Sequence, residues 1–224
     1  MELKLITVIN ITSVRRNWSR SALCLAVLCS MVSSRLAQAD GAGGASGSSS
    51  YVSTRTMLGE FFPKSERVTY RTIAVEGALK ERITQRLGYA PAARQYTIFI
   101  ATTAGGVDGY AIVDDQLGEH QPITFATKLS PRAVVERVEI LAYREPRGDE
   151  VRDARFRGQF VGKTSHDQLR LNRDIDAVTG ATISSAATAL AVRRAAVLVE
   201  ELMVVPTAVA SAGNPRESQR TAAP

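Results

Sequence analysis

The sequence predicts an α+β fold: an antiparallel sheet with helices packed on it. Short runs rich in β-branched and aromatic residues succeed one another between residues 96 and 143, with turn signals between them. One helical pattern precedes these runs and a long Ala-rich one follows. The helices are therefore gathered at the ends of the strand region and not interleaved with it.

In chain order, the first 39 residues read as a secretory leader. Arg15, Arg16 and Arg20 precede an apolar run from Ala22 to Val32, and Ala37-Gln38-Ala39 offers a small-x-small cleavage site before Asp40. That run is short of the roughly 20 residues that span a bilayer. Residues 40–54 read as a flexible linker, because Gly41 to Ser50 is entirely Gly, Ala and Ser. The folded domain is placed at 55–203, and 204–224, rich in Ala, Ser, Thr and Pro, reads as a disordered tail.

Within the domain, Ile73, Leu79, Ile83 and Leu87 predict a helix over 73–87, with Gly88 as its stop. Tyr96 to Thr102 and Gly109 to Val113 are strands joined by a turn at 104–108. Pro122 to Thr127 and Val134 to Tyr143 are strands joined at Ser130-Pro131-Arg132. The second alternates imperfectly, so both of its faces are expected to be partly covered. Phe156 and Phe160 anchor a short helix or turn. From Ile183 to about Met203 there is no Gly or Pro. Ser184, Thr188, Ala191, Ala195, Leu198 and Leu202 share one side, with Arg193 and Glu200 opposite and Arg194 and Glu201 on the flank.

Composition excludes several function classes. Cys24 and Cys29 both lie in the leader, so a mature chain has no disulfide and no Cys-based metal site. Removing the leader's five basic residues and one acid from the 28 and 22 of the whole chain leaves 23 and 21, a net charge of +2 instead of +6. Nucleic-acid binding thereby loses its electrostatic support, and no nucleic-acid partner is expected. His120 and His166 are the only histidines, a poor ligand set, and no metal site is expected. Asp114-Asp115 reads as a solvated turn near Gly118. There is no Gly-x-Ser-x-Gly elbow and no Gly-x-Gly-x-x-Gly loop.

The chemistry concentrates in Asp176-Ala177-Val178-Thr179-Gly180-Ala181-Thr182, directly before the last helix. Thr182 sits where an N-cap hydroxyl sits. The first N–H groups of a helix lack internal partners, and its dipole favours negative charge, so a phosphate on Thr182 meets ready donors. Gly180 supplies a left-handed angle or a close approach. From the residues alone, the simpler reading of the string is that Thr182 caps a helix and that Asp176 and Thr179 make a turn before it.

The complete D-x-x-T-G-A-T string resembles the flavinylation motif of the FMN-binding domain family. That family includes covalent-FMN subunits of the sodium-pumping NADH:quinone oxidoreductase and of Rnf-type complexes. The segments Gly118 to Phe125, Val134 to Leu141, Tyr143 to Gly148 and Phe156 to Lys163 extend the resemblance to about residues 75–203. In the family a dedicated flavin transferase joins FMN to the last Ser or Thr of the motif through a phosphoester. By position the resemblance implies Thr182 as acceptor and Asp176 as acidic recognition residue, with Thr179, Gly180 and Ala181 forming the approach. It places His120, Glu145 and Lys163 near the cofactor. For His120 and Glu145 a surface role stands beside this one, and for Lys163 a solvated lysine does. The chain departs from the family at Arg144-Glu145-Pro146-Arg147-Gly148, where the pumping subunits carry a Glu-Thr-Pro-Gly-like turn and its hydroxyl.

The implied function is an extracytoplasmic electron carrier with covalent FMN at the start of the C-terminal helix. Its implied partners are a periplasmic flavin transferase and, as donor and acceptor, membrane redox proteins or c-type cytochromes. Two alternatives stand beside it: a flavin-dependent reductase of a small extracytoplasmic acceptor, and a non-covalent FMN-binding sensor or assembly module.

Overall fold

A computed structural model describes residues 52–206 and the backbone of Val8–Ile9. The other residues of the leader, the linker up to residue 51 and the tail from 207 onward lie outside the described residues.

The fold is α+β. Six strands form one antiparallel meander in sequence order: β1 (Val8–Ile9), β2 (Arg67–Ala74), β3 (Gln95–Thr103), β4 (Gly106–Leu117), β5 (Pro122–Leu129) and β6 (Val135–Ala142). Helix α1 (Thr54–Phe61) precedes β2, and α2 (Gly77–Leu87) joins β2 to β3. After β6 come a 3₁₀ turn (Asp149–Arg152), the short α3 (Ala154–Gly158) and the long α4 (Thr182–Val199), which runs on as a π-helical turn over Glu200–Val204.

Alternation along the strands divides two apolar layers. Ile98, Ile112, Ile123, Phe125, Val138 and Ile140 point to one face, where α2 and α4 cover them with Ile83, Leu87, Val192, Ala195 and Leu198. Phe99, Ala101, Ala111, Ala126 and Leu141 point to the other face and pack under Met57, Leu58, Phe61 and Phe62 of the α1 segment. The sheet is thus covered on both sides, which is why β6 lacks clean alternation. Register shifts in the β5–β6 pair add to the irregularity.

The structure corrects four local readings. Ile73 belongs to β2, and the helix starts only at Gly77 after the cap residue Glu76. Strand β4 begins at Gly106 and runs to Leu117, so Asp114 and Asp115 are strand residues and not a turn. Helix α4 is no half-exposed amphipathic helix: thirteen of its eighteen residues are buried. Arg194, expected on a flank, is 3% exposed and donates to Asp114 Oδ2 at 2.5 Å, Gln116 Oε1 at 2.8 Å and the Asp115 carbonyl at 3.0 Å. The length and apolarity of Thr182–Val204 suit a membrane span, but most of that stretch is buried inside the fold, as in a core helix.

Candidate functional site

The Asp176–Thr182 segment is a built turn. The Ala181 N–H donates to the Val178 carbonyl at 3.0 Å, closing a four-residue turn, and Gly180 at its third position has φ +81°. Thr179 is not among the residues of positive φ, so the turn is of the type II kind, whose third position demands glycine. The Ser185 hydroxyl accepts from the Val178 N–H at 3.1 Å and ties the turn back to α4. Gln159, just past α3, holds the other end: its Oε1 accepts from the Asp176 N–H at 2.8 Å, and its Nε2 donates to the Asp176 carbonyl at 3.2 Å. Residues far apart in sequence therefore fix both ends of the string. Asp176, Thr179, Gly180 and Thr182 are exposed, and Ala181 is buried.

Thr182 is not the N-cap. It is the first residue of α4, and the cap position belongs to Ala181, which makes no side-chain cap hydrogen bond. The first bond of the helix ladder runs from the Ser185 N–H to the Ala181 carbonyl. The N–H groups of Thr182, Ile183 and Ser184 precede that first ladder bond and have no acceptor within the helix. A helix of eighteen residues thus presents a positive dipole end beside an exposed hydroxyl. These residues fit a phosphate group: orphan donors, no competing side-chain cap, and an accessible oxygen for a phosphoester.

The turn after β6 docks against this helix start. The Tyr143 hydroxyl donates to the Arg147 carbonyl and is 2.8 Å from the Ser184 hydroxyl. Gly148 has φ +88°. A Cβ there would meet Tyr143 Oη at 2.7 Å, Ser184 Oγ at 2.8 Å and Ala181 Cβ at 3.4 Å. The 144–148 turn is thus held against Ala181 and Ser184, the two residues flanking Thr182 and Ile183.

At its other end the same turn organises the Gly118–Gln121 loop. Glu145 Oε1 accepts from the N–H groups of His120 at 2.7 Å and Gln121 at 2.9 Å, and a Cβ on Gly118 would meet that oxygen at 2.5 Å. Burial pushes the Glu145 carboxyl up, but the N–H donors of Gln121 and His120 outweigh it and hold it below the usual carboxylate range. Glu145 Oε2 is buried with no hydrogen-bond partner among the described residues. The contact between His120 and Glu145 runs through the histidine's main chain, and its imidazole is 66% exposed.

Lys163 is engaged elsewhere. Its ammonium lies 3.4 Å from Asp174 Oδ2, and the Asp174 carboxylate also accepts from the N–H groups of Leu169 and Arg170 at 3.0 and 2.9 Å. The pair braces the loop that leads into Asp176. The structure therefore gathers the 118–121 loop, Glu145, Gly148, Ala181 and the start of α4 into one contact chain. Lys163 stays outside that chain. The residues missed in sequence reasoning are Gln159, Tyr143, Ser184, Ser185 and Asp174. Their signal was weak, since each acts on a partner many residues away or on a bare backbone group.

A groove of about 400 Å³ opens beside the motif. Asp176, Ala177 and Val178 form one wall, and Phe156 and Gln159 with Glu150, Asp153 and Arg155 form the other. A second depression, about 500 Å³, lies around His166 and Arg173 and includes no motif residue. Among the described residues no group of three or more His, Cys, Asp or Glu is placed to hold a metal ion.

Residues 118–197 match the family model of the FMN-binding domain. Among solved structures, the crystal structure of NqrC from Shewanella oneidensis is similar to this chain. It shares 18% identity over 68% of this chain and 89% of that chain, with a TM-score of 0.45, a likeness too loose to carry a functional argument. No curated protein matches the chain.

Proposed function

We propose, from the premise that residues 118–197 belong to the FMN-binding domain family, that this chain is an extracytoplasmic electron-transfer flavoprotein with FMN joined through a phosphoester to Thr182. The observation that carries the reading is the start of α4. There the cap position holds an alanine, the first N–H groups are unclaimed within the helix, and the exposed Thr182 follows a fixed type II turn. A phosphodiester on Thr182 supplies the acceptor oxygens that a capping hydroxyl otherwise provides.

FMN, when bound, supplies the redox chemistry, and the protein's part is to hold and orient it. Thr182 is the attachment point. Gly180 shapes the turn before it, Ala181 packs beneath Gly148, and Asp176 displays an exposed carboxylate to the modifying enzyme. A covalent bond suits a protein exported by a leader, because a dissociated flavin is lost to dilution outside the cytoplasm. The partners that follow are a flavin transferase in the same compartment and membrane redox proteins or c-type cytochromes as donor and acceptor. The domain is taken as 55–203, after a secretory leader (1–39) and a linker (40–54) and before a tail (204–224).

Acid precipitation of the chain co-expressed with a flavin transferase tests this reading. A yellow precipitate is the expected result, since a phosphoester survives denaturation. A colourless precipitate with yellow supernatant marks non-covalent binding and overturns it.

A further inference from the structure

We propose that the outer edge of β2 is a strand-addition site for an extended, acidic segment of a partner protein, with Arg67 and Arg71 selecting the acids. The two edges of the sheet are finished differently. At β6 the fold closes its own edge. The Val135 N–H donates to the Lys163 carbonyl, and the Val135 carbonyl accepts from the Gly162 N–H, both at 2.8 Å. Arg157 Nη1 donates to the Val138 carbonyl at 2.7 Å, and the Val52 N–H donates to the Leu141 carbonyl at 3.1 Å. At β2 the described residues supply only β1, which reaches Val68 and Thr69.

The rest of the β2 edge is regular and open. Its register with β3 is unbroken, from Arg67 opposite Thr102 to Ala74 opposite Gln95. Just beyond it the Val75 N–H donates to the Arg94 carbonyl at 2.8 Å. Antiparallel pairing alternates the direction of the main-chain groups along a strand. The N–H and C=O groups of Arg71 and Ile73 therefore face β3, and those of Tyr70, Thr72 and Ala74 face outward. Exposed edges are commonly blunted by proline, by a bulge or by shortness. Strand β2 has eight residues, no proline and no break in its register. Its outer edge already accepts Val8–Ile9 in antiparallel register, so its geometry suits an added strand.

Charge decides the kind of strand. Arg67 and Arg71 are exposed, share one face of β2 and form no ion pair among the described residues. Their cross-strand neighbours on β3 are Thr102 and Ile98, both neutral. An added strand sets its side chains about 5 Å from those of β2. Acids at alternate positions then pair with the two arginines, and lysines there are repelled. On the other face Val68 is buried and Tyr70 is partly exposed, with its ring 6.2 Å from that of Phe99. That face suits apolar residues at the intervening positions. A second copy paired through the same strand brings the arginines of both copies onto one face, where like charges oppose the pairing. The segment that fits thus alternates apolar and acidic residues, with main-chain hydrogen bonds for affinity and side chains for selection. None of this depends on Thr182.

The test is an NMR titration of the full chain with two short peptides blocked at both ends, one alternating valine and glutamate, the other valine and lysine. Amide hydrogen exchange is followed in the same samples. The glutamate peptide is expected to shift the amides of Tyr70, Thr72 and Ala74 and to slow their exchange. The amides of Arg71 and Ile73 are expected to be protected before any peptide is added. The lysine peptide is expected to bind about tenfold more weakly. Arg71→Glu changes an exposed side chain, and its amide spectrum confirms folding. This variant is expected to reverse the preference and bind the lysine peptide more tightly. Unchanged β2 amides in wild type, equal affinity for the two peptides, or a preference for glutamate retained in Arg71→Glu overturns the proposal.

Discussion

Gly148 shows how much of this site rests on a missing side chain. Its φ of +88° is costly for any other residue, and a Cβ would press on the Tyr143 and Ser184 hydroxyls and on Ala181. Gly148→Ala is therefore expected to destabilise the fold by about 1–3 kcal/mol, measured by urea denaturation. Because the crowding falls on Ala181, the same change is expected to slow FMN attachment at Thr182. Gly118 stands in a comparable relation to Glu145, whose oxygen fills the space a Cβ needs. The Gly, Glu and Gly of these loops are visible in the sequence as turn signals. That Glu145 serves the backbone of His120 and Gln121 is not, because main-chain acceptors leave no residue pattern. Nor did the Gly180-Ala181-Thr182 string reveal which residue is the cap, as a cap is set by backbone angles.

At the scale of elements, α4 is the organising piece. Its small-residue side, Ser184, Thr188, Ala191, Ala195 and Leu198, is buried as the 3.6-residue spacing predicts. The sequence also marks strands β3 to β6 and the stop of α2 at Gly88, which has φ +81°. Helix α1 went unread. Its Ser53 cap accepts from the Thr56 N–H, but the helix follows a Gly/Ser run and has only eight residues. Arg194 was misplaced because its partner Asp114 is on β4, remote in sequence. A charge with 3% exposure must be paired, so Arg194→Ala is expected to cost about 3–5 kcal/mol, while the joint Arg194→Met, Asp114→Leu replacement recovers most of it. Thermal melts of Arg194→Ala and of the double variant check this. Equal losses in Arg194→Ala and the double variant would contradict the pairing.

For the molecule as a whole, acid stability follows from three carboxyls held below their usual range. For each, burial pushes the carboxyl up and is outweighed: at Glu145 by backbone N–H groups, at Asp174 by backbone N–H groups and Lys163, at Glu200 by Ser165 and Arg86. A depressed carboxyl contributes stability above its unfolded pKa, about 3.9 for Asp and 4.3 for Glu. It gives that contribution up as pH falls through the lower folded value. Urea midpoints are thus expected to be level above about pH 5 and to fall steeply below about pH 4. Glu145→Gln should have a shallower acid limb than wild type, and an unchanged limb would contradict the role given to Glu145. The whole-chain charge of +6 belongs mostly to residues 1–39, and residues 40–224 carry a nearly balanced +2. The central claim, covalent FMN on Thr182, is tested most directly by intact mass spectrometry after co-expression with a flavin transferase. The account predicts one FMN-sized increment in wild type, kept in Thr182→Ser and absent in Thr182→Ala. No increment in wild type, or one that persists in Thr182→Ala, would contradict it.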